Sequence, residues 1–145
     1  MARENGLWAW LKKAKLQFRE NLSLGRIENA VGAGWPDVEG YLPETGQLWI
    51  ELKSAARPAS PLTPINLKHT RDAQVRWLSN RWALGQAVFI LVQVGDGADG
   101  RRYLIEGHRA QEVHDGQTEA WLKVMSRCDA KAKPHEVLLA CTRRK

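Results

Sequence analysis

At 145 residues the chain suits one domain built around one core, and Lys and Arg outnumber Asp and Glu by 22 to 16, a net charge of +6 that points to a polyanionic partner. Cys128 and Cys141 form no CxxC or Cys/His cluster, and the four histidines are scattered, which argues against a zinc site or a histidine-built metal centre. No signal-peptide pattern or membrane-length apolar run is present, so the expectation is a cytoplasmic chain with free thiols and no membrane partner.

In chain order, Leu7, Trp8 and Leu11 recur at helical spacing and predict a helix from about Gly6 to Phe18, with Lys12, Lys13, Lys15 and Arg19 as a basic stripe. A strand around Leu24 to Asn29 follows. From Asp37 to Ser54 the natural reading is a β-hairpin, with Pro43-Glu44-Thr45-Gly46 midway. A three-residue loop Glu44-Thr45-Gly46, with glycine in the left-handed position, would pair Pro43 with Gln47. Asp37 would then lie opposite Lys53 and Glu39 opposite Glu51. A two- or four-residue loop would put Asp37 on the wrong face, because strand side chains alternate.

Arg57 to Pro64 holds Pro58, Pro61 and Pro64 and should be an irregular loop. Thr70 can cap a helix that carries Gln74 and ends near Leu84, before Gly85. His69 and Arg71 could meet phosphate, although a solvated helix start explains them as well. Ala87 to Val94 reads as a buried strand, and Gly95 to Gly100 as a hairpin turn into a strand at Arg102 to Glu106. Past Gly107, a helix around Thr118 to Arg127 is expected, and Glu136 to Thr142 reads as a strand or a helix end. Arg143, Arg144 and Lys145 form a second basic stripe.

The chemistry concentrates in the hairpin. Asp37 and Glu51 offer hard oxygen ligands for Mg²⁺, which is commonly held by one or two carboxylates plus phosphate. Such an ion lowers the pKa of a bound water and neutralises charge at phosphorus. Lys53 is a compact charge able to orient that water or stabilise the pentavalent phosphate, while Ile50 and Leu52 face the core. Taken singly, Pro-Asp is a common turn dipeptide and Glu-x-Lys an ordinary exposed strand pattern. Seven tryptophans could stack on unpaired bases, but most fit packing; Trp35, two residues before Asp37, could wall the site.

Gly34-Trp35-Pro36-Asp37 with Glu51-Leu52-Lys53 resembles the PD-(D/E)XK nuclease superfamily, and more narrowly its stand-alone VRR-NUC type of phage and bacteria, over roughly residues 4 to 95. The resemblance implies an α/β, restriction-endonuclease-like αβββαβ core, a mixed sheet flanked by helices, related to Holliday junction resolvases. It implies one nuclease domain over 1–145, with a core at about 4–106 and a C-terminal extension at 107–145. It also implies catalytic roles for Asp37, Glu51, Lys53 and Gln74, although a tyrosine expected four residues after the glutamine is Leu78 here. An acidic residue from the first helix usually completes the shell. Glu4 and Glu28 compete for that place, whereas Glu20 falls too late.

The expected activity is Mg²⁺-dependent hydrolysis of DNA phosphodiesters, with Mn²⁺ able to substitute, preferentially on branched DNA such as a Holliday junction. The expected enzyme is a homodimer or higher homo-oligomer, acting in a prokaryotic or phage-infected cell. A site-specific homing or restriction-like endonuclease, or an idle DNA-binding protein on the same fold, are the alternatives.

Overall fold

The computed structural model describes residues 2–18, 21–27, 34–67 and 72–143, with side chains from Gly6 onward. A five-stranded mixed sheet is ordered β1 (Ser23–Arg26), β2 (Val38–Leu42), β3 (Gly46–Ala55), β4 (Ala87–Val94) and β5 (Arg101–Glu106). Neighbouring strands run antiparallel except β3 and β4, which are parallel and joined by the crossover helix α3 (Asp72–Ala83). Parallel neighbours need such a crossover, and α3 covers one face of the sheet.

Helix α1 (Ala2–Lys12) covers one face, burying Leu7 and Leu11 against Leu48, Ile50, Leu52, Phe89 and Leu91. The expected single helix to Phe18 is broken. Residues 13 and 14 form three-residue turns, Lys13 N to Trp10 O and Ala14 N to Leu11 O, before the short α2 (Lys15–Phe18). Tightening of this kind is common at helix ends, where the regular bonding pattern runs out. The opposite face packs Val88, Ile90, Val92 and Val94 beneath Val75 and Leu78 of α3. Strand β4 is therefore buried along its whole length, as its apolar run, interrupted only by Gln93, predicts.

The C-terminal third folds back onto both faces. Helices α4 (Ala110–Asp115) and α5 (Glu119–Met125, capped by Thr118 Oγ1) bury Val113 and Leu122 on the α3 side. Helix α6 (Pro134–Ala140) buries Val137 and Leu138 beside Leu7 and Leu11. The segment expected as a strand or helix end at Glu136 to Thr142 is thus mostly helix, opened by Pro134, whose missing amide costs nothing at a first turn. No helix among the described residues is long and apolar enough to cross a membrane.

The hairpin register differs from the sequence expectation by two residues. The turn is Pro43-Glu44-Thr45, closed by Thr45 N–H donating to Leu42 O at 3.1 Å, and Gly46, at φ +78°, opens β3 instead of ending the loop. Leu42 pairs with Gly46, Tyr41 with Gln47, Glu39 with Trp49, and Val38 with Ile50. Glu39 therefore does not oppose Glu51, and continuing the register sets Asp37 level with Glu51, not Lys53. An even slip leaves every side chain on its face, so the facial grouping of Asp37, Glu51 and Lys53 survives the change.

Candidate active site

Asp37 is fixed from two sides at the point where β2 leaves β3. Its carbonyl accepts from Ile27 N–H at 2.7 Å, and its Oδ2 accepts from Leu52 N–H at 2.9 Å. The Asp37 side chain therefore satisfies a β3 amide beyond the last β2 pair. That bond carries Asp37 across to the strand that holds Glu51 and Lys53.

Glu51 and Lys53 project from β3 toward the α3 side, between the parallel partners Ile90 and Val92 and their neighbours. Glu51 is 2% and Lys53 5% exposed. Lys53 Nζ lies 3.1 Å from Glu51 Oε2 and donates to Gln74 Oε1 at 3.3 Å. The crossover helix thus delivers Gln74 to the lysine.

Glu51 Oε1 is buried with no hydrogen-bond partner. Burial, followed by the charge of Asp37, pushes the Glu51 carboxyl up to about 8 against the opposing pull of Lys53. Lys53 offsets only part of the negative charge gathered here, so a proton on Glu51 or a further cation makes up the balance. The orphaned oxygen beside Asp37 fits a hard divalent ion, which accepts two carboxylates and fills its remaining positions with water or phosphate.

Among the described residues no cluster of three or more His, Cys, Asp or Glu surrounds a common point. The two candidates for a further acid fall outside that description: Glu28 lies in the undescribed segment, and Glu4 lies on α1 with its side chain undescribed. The body of α1 packs on the sheet face opposite Glu51 and Lys53. Thr70, His69 and Arg71, like Arg19, Glu20, Arg144 and Lys145, also lie outside the described residues.

Trp35 does not stand alone beside Asp37. Its ring meets those of Trp49 and Trp77 with centroids 5.7 and 5.4 Å away, and Trp49 and Trp77 are themselves 5.4 Å apart. The residues around Trp77 show only helical spacing, and nothing local joins it to strands far away in the chain. The only local signal was the repeated spacing of a tryptophan two residues before each acid.

Gly34 ties this segment to α3. At φ +95° its absent side chain leaves room for Ala73 O, which would lie 2.6 Å from a Cβ placed there. Part of the basic surface is also spoken for. The Arg143 guanidinium stacks 3.6 Å from the Trp82 ring centre and donates to Trp82 O and Gln86 O.

No protein-family model matches the chain, and no curated protein matches its sequence significantly. In three dimensions it is similar to the Holliday junction resolvase Hjc of Archaeoglobus fulgidus, with a TM-score of 0.50 and 14% identity over 93% of this chain and 99% of that one. The class defined is a fold: an α/β, restriction-endonuclease-like mixed sheet flanked by helices.

Proposed function

We propose that this chain is a divalent-metal-dependent endodeoxyribonuclease that hydrolyses phosphodiesters in branched DNA, four-way Holliday junctions foremost. The observation that carries this reading is the buried Glu51, with one oxygen on Lys53 and the other unpartnered beside Asp37. Groups perturbed in this way by burial and like charge concentrate at functional sites.

Asp37 and Glu51 would hold Mg²⁺ or Mn²⁺, with Glu4 or Glu28 completing the shell. A bound ion would supply Lewis acidity, making a water nucleophilic at neutral pH and offsetting charge on the phosphate. Lys53 Nζ would orient the attacking water or meet the developing oxyanion, with Gln74 Oε1 accepting from the ammonium to hold it in place. The net charge of +6 attracts the DNA without selecting sequence. The absence of a recognisable base-reading module in the sequence favours recognition of DNA shape over a base sequence. A homodimer would present two such sites for paired cuts. Residues 1–145 would form one nuclease domain, with 107–145 as an addition to the core, working in a prokaryotic or phage-infected cytoplasm.

The test is cleavage of a four-way junction, a matched linear duplex and a plasmid with Mg²⁺, using wild type, Asp37→Ala and Lys53→Ala. Paired nicks in the junction alone, lost in both variants, support the proposal. A unique cut in long duplex DNA would instead identify a site-specific homing or restriction-like endonuclease. Binding without cleavage under any divalent metal would leave a DNA-binding protein and sink the enzyme reading.

A further inference from the structure

Three residues of the proposed site, Asp37, Glu51 and Gln74, each have a tryptophan one structural step away. Trp35 precedes Asp37 by two residues, and Trp49 precedes Glu51 by two along the same face of β3. Trp77 stands about one helical turn beyond Gln74, the partner of Lys53. Two strand residues span ~6.6 Å and a helical turn about 5.4 Å, comparable with the reach from a phosphate to its own nucleotide's base.

The three rings form one mutual cluster, with Trp35 set edge-on to Trp49 at 74° and tilted 44° from Trp77. None is fully buried. Trp49 and Trp77 rest on the α3-side core, and Trp35 lies against both of them. The Arg81 guanidinium stands 4.8 Å from the Trp77 ring centre and 5.9 Å from that of Trp35, placing a positive charge beside the aromatic surface. Gly34, lacking a Cβ, lets the backbone just before Trp35 approach Ala73 of α3 closely, which brings the Trp35 ring against Trp77.

We propose that Trp35, backed by Trp49 and Trp77 and flanked by Arg81, is a stacking platform for an unpaired DNA base beside the scissile phosphate. The position of that phosphate rests on the nuclease reading, whereas the stacking itself requires no cleavage. Every base presents a π-face, so the platform accepts any sequence but only a base released from its own stack. Arg81 adds a cation that can meet both the ring faces and a flanking phosphate. Selection of branched over linear DNA then arises at the site, because base pairs at a branch point lack a stacking neighbour and open at lower cost than those inside a matched duplex.

The probe is 2-aminopurine placed next to the cleavage position in a four-way junction and in a single strand, with a matched duplex as control, all in EDTA and then in Ca²⁺. The platform predicts that wild type alters the 2-aminopurine emission by stacking. Trp35→Ala should lose that signal and bind junction and single strand roughly 5- to 100-fold more weakly, while duplex affinity stays within about two-fold. Trp35→Phe and Arg81→Gln, which keep the packing, should each show a smaller loss confined to the same two DNAs. If Trp35→Ala does not fold, these two variants decide the matter. Unchanged binding, or equal weakening on all three DNAs, overturns the platform. Cleavage by a wild type that gives no stacking signal would remove the platform and leave the nuclease; a stacking signal without cleavage under any divalent metal would do the reverse.

Discussion

Lys53 Nζ lies 3.1 Å from Glu51 Oε2, and the pair is almost entirely shielded from water while the second carboxylate oxygen is left unpartnered. Such a pair is poor stabilising material, because desolvating two charges offsets most of their attraction. Its value lies in what it holds ready. The consequences separate stability from activity.

Glu51→Gln removes the charge and keeps the shape. The metal-free variant should melt at or above the wild-type temperature at pH 8, while junction cleavage falls by at least about 100-fold. Lys53→Ala should lose cleavage to a similar degree and also melt lower, more so at pH 8 than at pH 5, because Glu51 is left buried without its cation. Thermal melts paired with cleavage rates check both, and a Glu51→Gln protein that retains activity would exclude Glu51 from the site.

Metal-free stability should fall as pH rises from about 5 to about 8. The folded Glu51 keeps its proton up to about 8, whereas an unfolded glutamate releases it near 4.5, so the folded state binds more protons throughout that window. Stability from this group is complete below the lower value and lost as pH passes the upper one. Mg²⁺ should therefore raise the melting temperature more at pH 8.5 than at pH 5.5, with proton release on binding at pH 7. Melts across pH with EDTA or Mg²⁺, and proton release by calorimetry in two buffers, measure it.

Gly34→Ala should destabilise the fold by ~1–3 kcal/mol, since its Cβ would meet Ala73 O and its φ of +95° is strained for any other residue. The added methyl pushes the Trp35 to Asp37 segment off α3, so cleavage should drop by more than the loss of folded protein explains. Denaturant titration against rates at equal folded concentration distinguishes the two.

Arg57 ties the proline-rich loop after β3 to the rest of the fold. Its Nε and Nη2 donate to Glu119 at 2.8 and 3.1 Å, its Nη1 to Asp99 O, and Tyr103 Oη adds a 2.6 Å bond to the same carboxylate. Arg57→Ala should cost within about 1 kcal/mol, as expected of an ion pair near the surface. It should nevertheless speed hydrogen exchange and proteolysis between residues 56 and 64. Exchange mass spectrometry reads this directly.

Local rules made much of this legible in the linear chain. Alternation grouped Asp37, Glu51 and Lys53 on one face, the apolar run at 87–94 announced a buried strand, and the prolines at 58, 61 and 64 excluded a helix. These depend on covalent geometry and nearest neighbours. The hairpin register was less secure, because a left-handed glycine serves either inside a turn or just after it. Only strand pairing chose Leu42 opposite Gly46. The tertiary structure alone decided that Glu51 Oε1 is dry and unpartnered, that Gln74 meets Lys53, and that Trp35, Trp49 and Trp77 touch. Burial and contact between distant segments are properties of the packed sheet and its crossover helix, and no window along the chain contains them.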